Sequence, residues 1–187
     1  MQIIVGLGNY AKKYDLTRHN FGFDLIDKLS LKYNFSSFLD KFDGLFAKGV
    51  IANKECILFK PAKFMNNSGV PIQKLMNFFK ININNLIIIH DDIDFELGKI
   101  KIKIGGGNGG HNGLKSIDNA ISSDYKRLRL GIGRPQNSNI EIADYVLQKF
   151  SNNELKKAEE VMIKVVNLFE LIINDQDQIM LNEFYKS

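Results

Sequence analysis

The run Leu86–Ile89, four consecutive branched apolar residues that stop at His90-Asp91-Asp92, constrains this chain more than any other stretch. It is too short for a buried helix and lacks the alternation of a strand with one wet face. It reads as a central strand buried on both sides, which requires helices above and below the sheet. The neighbouring patterns agree. Gln2–Gly6 reads as a second buried strand, and Phe21, Leu25, Ile26, Leu29 and Tyr33 have helical spacing. Residues 45–52 and 54–60 read as two strands that turn at Asn53–Lys54, and Val70–Phe79 as a helix with Pro71 tolerated in its first turn. Lys99–Ile104 alternates strictly, predicting a strand with one wet, basic face. A glycine-rich loop, a helix over 114–121, a strand at "RLRLGIG" and mostly helix after about residue 141 complete the pattern. The expected fold is α/β: a single domain over 1–187, a three-layer α/β/α sandwich with a mixed, mostly parallel central sheet.

Composition narrows the class of function. One cysteine, Cys56, excludes an internal disulfide framework and fits a reducing compartment. "MQIIVGLGN" has no basic stretch ahead of a long apolar core, so it does not read as a signal peptide, and no apolar run approaches the ~20 residues of a membrane span. A soluble cytoplasmic protein with no membrane partner is expected. The formal net charge of +4 is compatible with a polyanionic partner and equally with ordinary solubilising lysines.

In sheets of this kind, sites form at the carboxyl ends of strands. Three polar clusters fall there: Gly6-Leu7-Gly8-Asn9, His90-Asp91-Asp92 and Gly131-Ile132-Gly133-Arg134. "GLGNYA" formally satisfies a dinucleotide fingerprint, but the helix pattern begins only near Asn20, too late to meet a pyrophosphate. "HDDID" is a possible metal cluster, although the remaining histidines stand beside asparagines, poor ligands for transition metals; Asp92 and Asp94 read more simply as capping a turn. "GGGNGGHNGLK" lacks the ending of a P-loop; it allows close approach of backbone to a ligand, with Lys101, Lys103 and Lys115 nearby for phosphate. Cys56 reads as a core thiol and Ser68 as the cap of the following helix. No serine has a nucleophile elbow. A hydrolase built here must activate water, and a histidine, with a pKa near neutrality, is the natural base.

Taken together, "IVGLGN", "TRHN", "FMNNSG", "HDDID", "GGHNGLKS" and "RLRLGIGRP", in that order from residue 3 to residue 135, resemble the bacterial peptidyl-tRNA hydrolase family. The resemblance implies cleavage of the ester between a peptide and the 3′ end of tRNA, with peptidyl-tRNA as partner, no cofactor, no metal, and a monomer. It implies His19 as the base and Asp91 as the carboxylate that orients and polarises it. It places Asn9, Asn66 and Asn112 at the acyl end of the substrate, with Tyr14, Met65 and Gly109 in the same cleft, and Lys103 and Arg129 on the tRNA 5′ phosphate. Where the family usually reads Asn-Pro-Gly, this chain has Asn9-Tyr10-Ala11. That frees φ at residue 10 and disfavours φ > 0 at residue 11, so the loop beside Asn9 is expected to differ in shape.

The residues support the chemistry independently. Ester hydrolysis needs a base for water, a group fixing its tautomer and donors for the developing oxyanion, which His19, Asp91 and carboxamides can supply. An asparagine, both donor and acceptor, can also read a peptide group. Two other readings stay open: a noncatalytic RNA-binding relative, since plant splicing factors share the fold, and a metal-dependent phosphoesterase. The first should lack the base or its orienter, and both are present here. The second should lose activity to a chelator.

Overall fold

The computed structural model describes residues 1–62 and 64–186. Seven strands, β1 (Gln2–Gly6), β2 (Leu39–Lys41), β3 (Gly44–Ile51), β4 (Lys54–Pro61), β5 (Leu86–Asp92), β6 (Ile100–Ile104) and β7 (Lys126–Gly131), form one mixed sheet in the order β2-β3-β4-β1-β5-β7-β6. The four inner strands β4, β1, β5 and β7 are parallel. β2, β3 and β6 join the outside antiparallel. The parallel part is thus confined to the centre, where helices cover both faces.

Six helices do the covering: α1 (Phe21–Lys32), α2 (Gly69–Phe79), α3 (Asn112–Ile121), α4 (Ile142–Val146), α5 (Asn152–Ile173) and α6 (Asp177–Tyr185). Side chains alternate across the inner strands. Ile4, Ile87 and Ile89 join the core beneath α1, α4, α5 and α6. Ile3, Val5, Leu86 and Ile88 join the core beneath α2 and α3. The apolar run at 86–89 is therefore divided between two cores, which is why it shows no alternation. No helix among the described residues is long and apolar enough to cross a membrane.

Three local details position the site. A β-carbon on Gly6 would lie 2.3 Å from the Gly22 carbonyl oxygen, and one on Gly22 would lie 2.5 Å from that of Ile89. The paired glycines let the start of α1 sit directly on the ends of β1 and β5. The G-x-G pattern thus serves helix–strand packing at its first glycine. The β3–β4 hairpin turns at Ala52-Asn53, with φ of +51° and +61°, one residue earlier than expected; two consecutive left-handed residues suit the twist of the flanking strands. Ser68 does not cap α2. Its hydroxyl donates to the Met65 carbonyl at 2.8 Å, and the Gly69 amide finds Ser116 Oγ of α3 at 3.0 Å instead. This ties the turn at Met65–Asn67 to α3.

Candidate active site

His19 lies in a single 3-10 turn, Arg18–Asn20, immediately before α1. All three residues are buried. Asn20 locks the turn to the loop after β1: its Oδ1 accepts from the Asn9 amide at 2.8 Å, and its Nδ2 donates to the Asn9 carbonyl at 3.1 Å. The Asn9 side chain accepts from the Met65 amide at 3.0 Å. Ala11 has a φ of −72°, so nothing at that position demands glycine, and the Tyr10-Ala11 replacement leaves Asn9 fully held.

Asp91 extends from the end of β5, 2% exposed. His19 Nδ1 lies 2.9 and 3.0 Å from its two oxygens, and His111 Nε2 lies 3.1 Å from Oδ1. A carboxylate only accepts, so both nitrogens carry protons. For His111 the assignment is doubly determined. Its Nδ1 accepts from the Gly113 and Leu114 amides at 3.1 and 3.3 Å, capping α3, and therefore carries no hydrogen. In neutral His19 the unprotonated nitrogen is then Nε2. Burial opposes the charge on Asp91, but the two imidazoles outweigh it and hold the carboxyl far below the usual carboxylate range. His90, 2% exposed on the same strand end, donates Nδ1–H to the Asp91 carbonyl at 2.7 Å. Burial first, and His111 next, push its pKa down to about 3, so it stays neutral in the folded protein.

A cavity of about 500 Å³ opens over this cluster. Its walls include His19, Asp91, Lys103, Gly109, Asn112 and Arg129, six of the residues singled out from the sequence. Asn9, Met65 and Asn66 lie outside that wall and form a neighbouring group. A β-carbon on Gly113 would meet Met65 Sδ at 2.6 Å, so the turn carrying Asn66 packs against the start of α3. Asn66 and Asn112, the residues beside that contact, are both exposed. Tyr14 is half-buried in a separate 3-10 turn, with Lys13 Nζ 4.8 Å from its ring centre, and does not line the cavity.

The cations divide by strand register. β6 and β7 pair so that Lys103 stands opposite Arg127 and Lys101 opposite Arg129. Lys103 and Arg129 are therefore diagonal neighbours on one face. Arg129 is half-buried, its Nε 2.8 Å from Asp92 Oδ2 and its guanidinium 4.5 Å from the Phe95 ring centre. Lys101 Nζ lies 4.4 Å from that same ring centre. Arg127, which the sequence did not distinguish, is 2% exposed. It donates to the Gly107 and Gly106 carbonyls at 2.9 and 2.8 Å and pairs with Asp118 at 3.3 Å, anchoring the glycine-rich loop. That loop bends through φ of +95° at Gly106 and +82° at Gly110, conformations that favour glycine. Asp92 accepts from the Asp94 amide at 2.9 Å, as a turn-capping carboxylate does, and Asp94 pairs with Arg134 at 2.7 Å.

Ligand atoms of His19, Asp91 and His111 lie within 4.8 Å of one another, the one such group among the described residues. Two imidazoles and a carboxylate can hold a transition metal. Here, however, the nitrogens facing Asp91 are the protonated ones, so a cation would have to displace both protons.

Comparison with known proteins gives one family. The family model described as peptidyl-tRNA hydrolase matches residues 3–187. A peptidyl-tRNA hydrolase of Wolbachia pipientis wMel is 53% identical over 152 residues, 81% of this chain and 83% of that protein. One from Rickettsia bellii is 45% identical over 177 residues, 94% of this chain and 95% of that protein. The crystal structure of peptidyl-tRNA hydrolase from Acinetobacter baumannii superposes with a TM-score of 0.91 at 34% identity, covering 98% of this chain and 94% of that one. With the matched region running from the first strand through the last helix, this chain belongs to the peptidyl-tRNA hydrolase family.

Proposed function

We propose that this protein hydrolyses the ester of peptidyl-tRNA by water attack, with His19 as general base and Asp91 as the group that orients it. The observation that carries the reading is the Nδ1 contact of His19 to Asp91 at 2.9 Å, which leaves Nε2 as the lone-pair nitrogen of a side chain lining the cavity. Nε2 takes a proton from water as the oxygen attacks the ester carbonyl; the resulting imidazolium, stabilised by the buried carboxylate, returns that proton to the 3′ oxygen of the tRNA as the tetrahedral intermediate breaks its bond to that oxygen. His111 keeps Asp91 in place through the second N–H. Asn112 in the cavity wall and Asn66, exposed on the neighbouring turn, offer amide groups to the peptide and to the developing oxyanion, with Asn9, Met65, Gly109 and Tyr14 shaping the acyl side. Lys103 and Arg129 take the tRNA 5′ phosphate, Arg129 through its remaining guanidinium nitrogens and Lys103 as a point charge. The enzyme acts as a cytoplasmic monomer.

The test is release of deacylated tRNA from purified peptidyl-tRNA. Wild-type protein should turn over with EDTA present, and His19→Ala should retain its fold and lose about 10²- to 10⁴-fold in kcat. Near-normal kcat in His19→Ala would overturn the base assignment, since both nitrogens of His111 are already engaged, and loss of wild-type activity to EDTA would favour a metal at the three-residue cluster.

A further inference from the structure

The residue beside the base is among the most heavily anchored cations in the molecule. Arg18 is 7% exposed. Its Nη2 donates to both Glu154 oxygens, at 2.8 and 2.9 Å, and its Nη1 to the carbonyls of Gln148 and Lys149, at 3.2 and 3.1 Å. The guanidinium lies 4.3 Å from the Tyr145 ring centre and 5.3 Å from that of Phe150. The backbones are joined as well: the Arg18 amide donates to Gln148, the Phe150 amide donates to Leu16, and Thr17 bridges Lys149. Glu154 is itself fixed, because its carboxylate accepts from the Ser151 amide at 2.7 Å in the capping box that opens α5. Burial opposes its charge, but the hydrogen bonds from Ser151 and Arg18 prevail and hold the carboxyl below its ordinary value.

Every partner of the guanidinium thus comes from residues 145–154. The same stretch, with α4 before it, contributes Ile142, Ala143 and Val146 to the wall of the cavity that contains His19. The 3-10 turn is held from two sides, Asn20 by the loop after β1 and Arg18 by the α4–α5 segment, with the catalytic imidazole between them. Solubility and surface charge do not require a fork of this kind. A planar, four-bonded guanidinium fixes orientation, whereas a lysine there could satisfy charge without fixing angle.

We propose that Arg18, held by Glu154, is a positioning residue for His19: it sets the orientation of the turn so that Nδ1 meets Asp91 and Nε2 faces the cavity. The inference rests on the reading of His19 as base. A displacement of about 1 Å in a positioned group can cost on the order of 100-fold in rate. Arg18 touches neither the cavity nor the phosphate cations, so the loss belongs in kcat.

The experiment compares Arg18→Lys, Glu154→Gln and His19→Ala with wild type on one peptidyl-tRNA, measuring kcat and KM separately. Melting curves and far-ultraviolet circular dichroism accompany each. Proton NMR follows the downfield Nδ1–H resonance of His19, assigned by its disappearance in His19→Ala. Arg18→Lys should lower kcat about 10- to 100-fold with KM nearly unchanged, and should shift or broaden that resonance. Glu154→Gln should do the same to a smaller degree. Because Glu154 is partly exposed, that variant decides the matter even if Arg18→Lys fails to fold. Wild-type kcat in the folded variants, or a loss of kcat with the Nδ1–H resonance unmoved, would overturn the positioning role while His19→Ala stays inactive. Full activity in His19→Ala would overturn the base assignment and the inference with it.

Discussion

His111 Nε2 lies 3.1 Å from Asp91 Oδ1, the same oxygen that His19 Nδ1 approaches at 2.9 Å. Asp91 is therefore a shared acceptor for two imidazoles whose ring centres are 4.8 Å apart. Because His111 also caps α3 through its other nitrogen, the rotation of one ring couples the start of a helix to the carboxylate that meets His19.

His111→Asn separates those two jobs. Asparagine is a good helix cap, so α3 should start where it does now, but its shorter side chain cannot reach Asp91. A hydrogen bond to a charged group is worth about 1.5–3 kcal/mol, which corresponds to at least about a tenfold fall in kcat with little change in KM. Asp91→Asn should cost far more, about 10²- to 10⁴-fold, since it removes the stabilisation of the imidazolium as well. Single-turnover kinetics on a short peptidyl-tRNA would check both. Unchanged kcat in His111→Asn would mean that one imidazole suffices to hold the carboxylate.

Replacing Lys103 or Arg129 by alanine should mainly raise KM and reduce the slope of binding against salt by about one for each phosphate that is no longer neutralised. A small ester substrate without the tRNA body should be cleaved equally by wild type and variants. Removing the 5′ phosphate should hurt wild type yet add little to the double variant. Full additivity of the two changes would place the phosphate elsewhere. Asp92→Asn frees Arg129 Nε and should likewise register in KM before kcat.

Acidification should weaken the fold through His90. In the unfolded chain it titrates near 6.5, and in the fold burial depresses its pKa to about 3. Above pH 6.5 both states are neutral there and the full stability is present. Below it the unfolded state binds a proton that the folded state refuses, so stability is lost as pH falls from about 6.5 towards 3. At pH 4.5 the loss is roughly 2–3 kcal/mol. His90→Asn, which keeps a donor for the Asp91 carbonyl, should lose correspondingly less between pH 7.5 and 4.5 in urea denaturation. Equal losses in the two proteins would show that His90 is not the group responsible.

The sheet centre was legible because Leu86–Ile89 has no polar residue to place on either face, and the contact of His19 with Asp91 because "TRHN" and "HDDID" carry the family resemblance. The second imidazole on Asp91 was not legible. It depends on α3 starting at Asn112 with a histidine as cap, a residue that propensity does not select for that place. Arg127 and Arg129 share a face of β7 at period two, so pattern alone cannot say which is consumed internally. Only the pairing with β6 and the fold-back of the glycine loop show that Arg127 is taken up by the loop carbonyls and Asp118, whereas Arg129 meets Asp92 through Nε. Arg18 was hidden for a similar reason, since its partners lie far along the chain and nothing in "TRHN" announces them.

That distance sets the order in which the molecule matures. The sheet's last strand ends at Gly131, yet the carboxylate that receives Arg18 stands 136 residues after that arginine, at Glu154. During synthesis the polypeptide therefore possesses all the strands of its sheet before it possesses the anchor of the turn that carries His19. A chain halted at Gly131 would carry His19 on a turn whose neighbouring arginine has none of its guanidinium partners, all of which lie in residues 145–154. The hold on the turn that carries His19 is thereby tied to the arrival of α5, and the growing chain acquires it late.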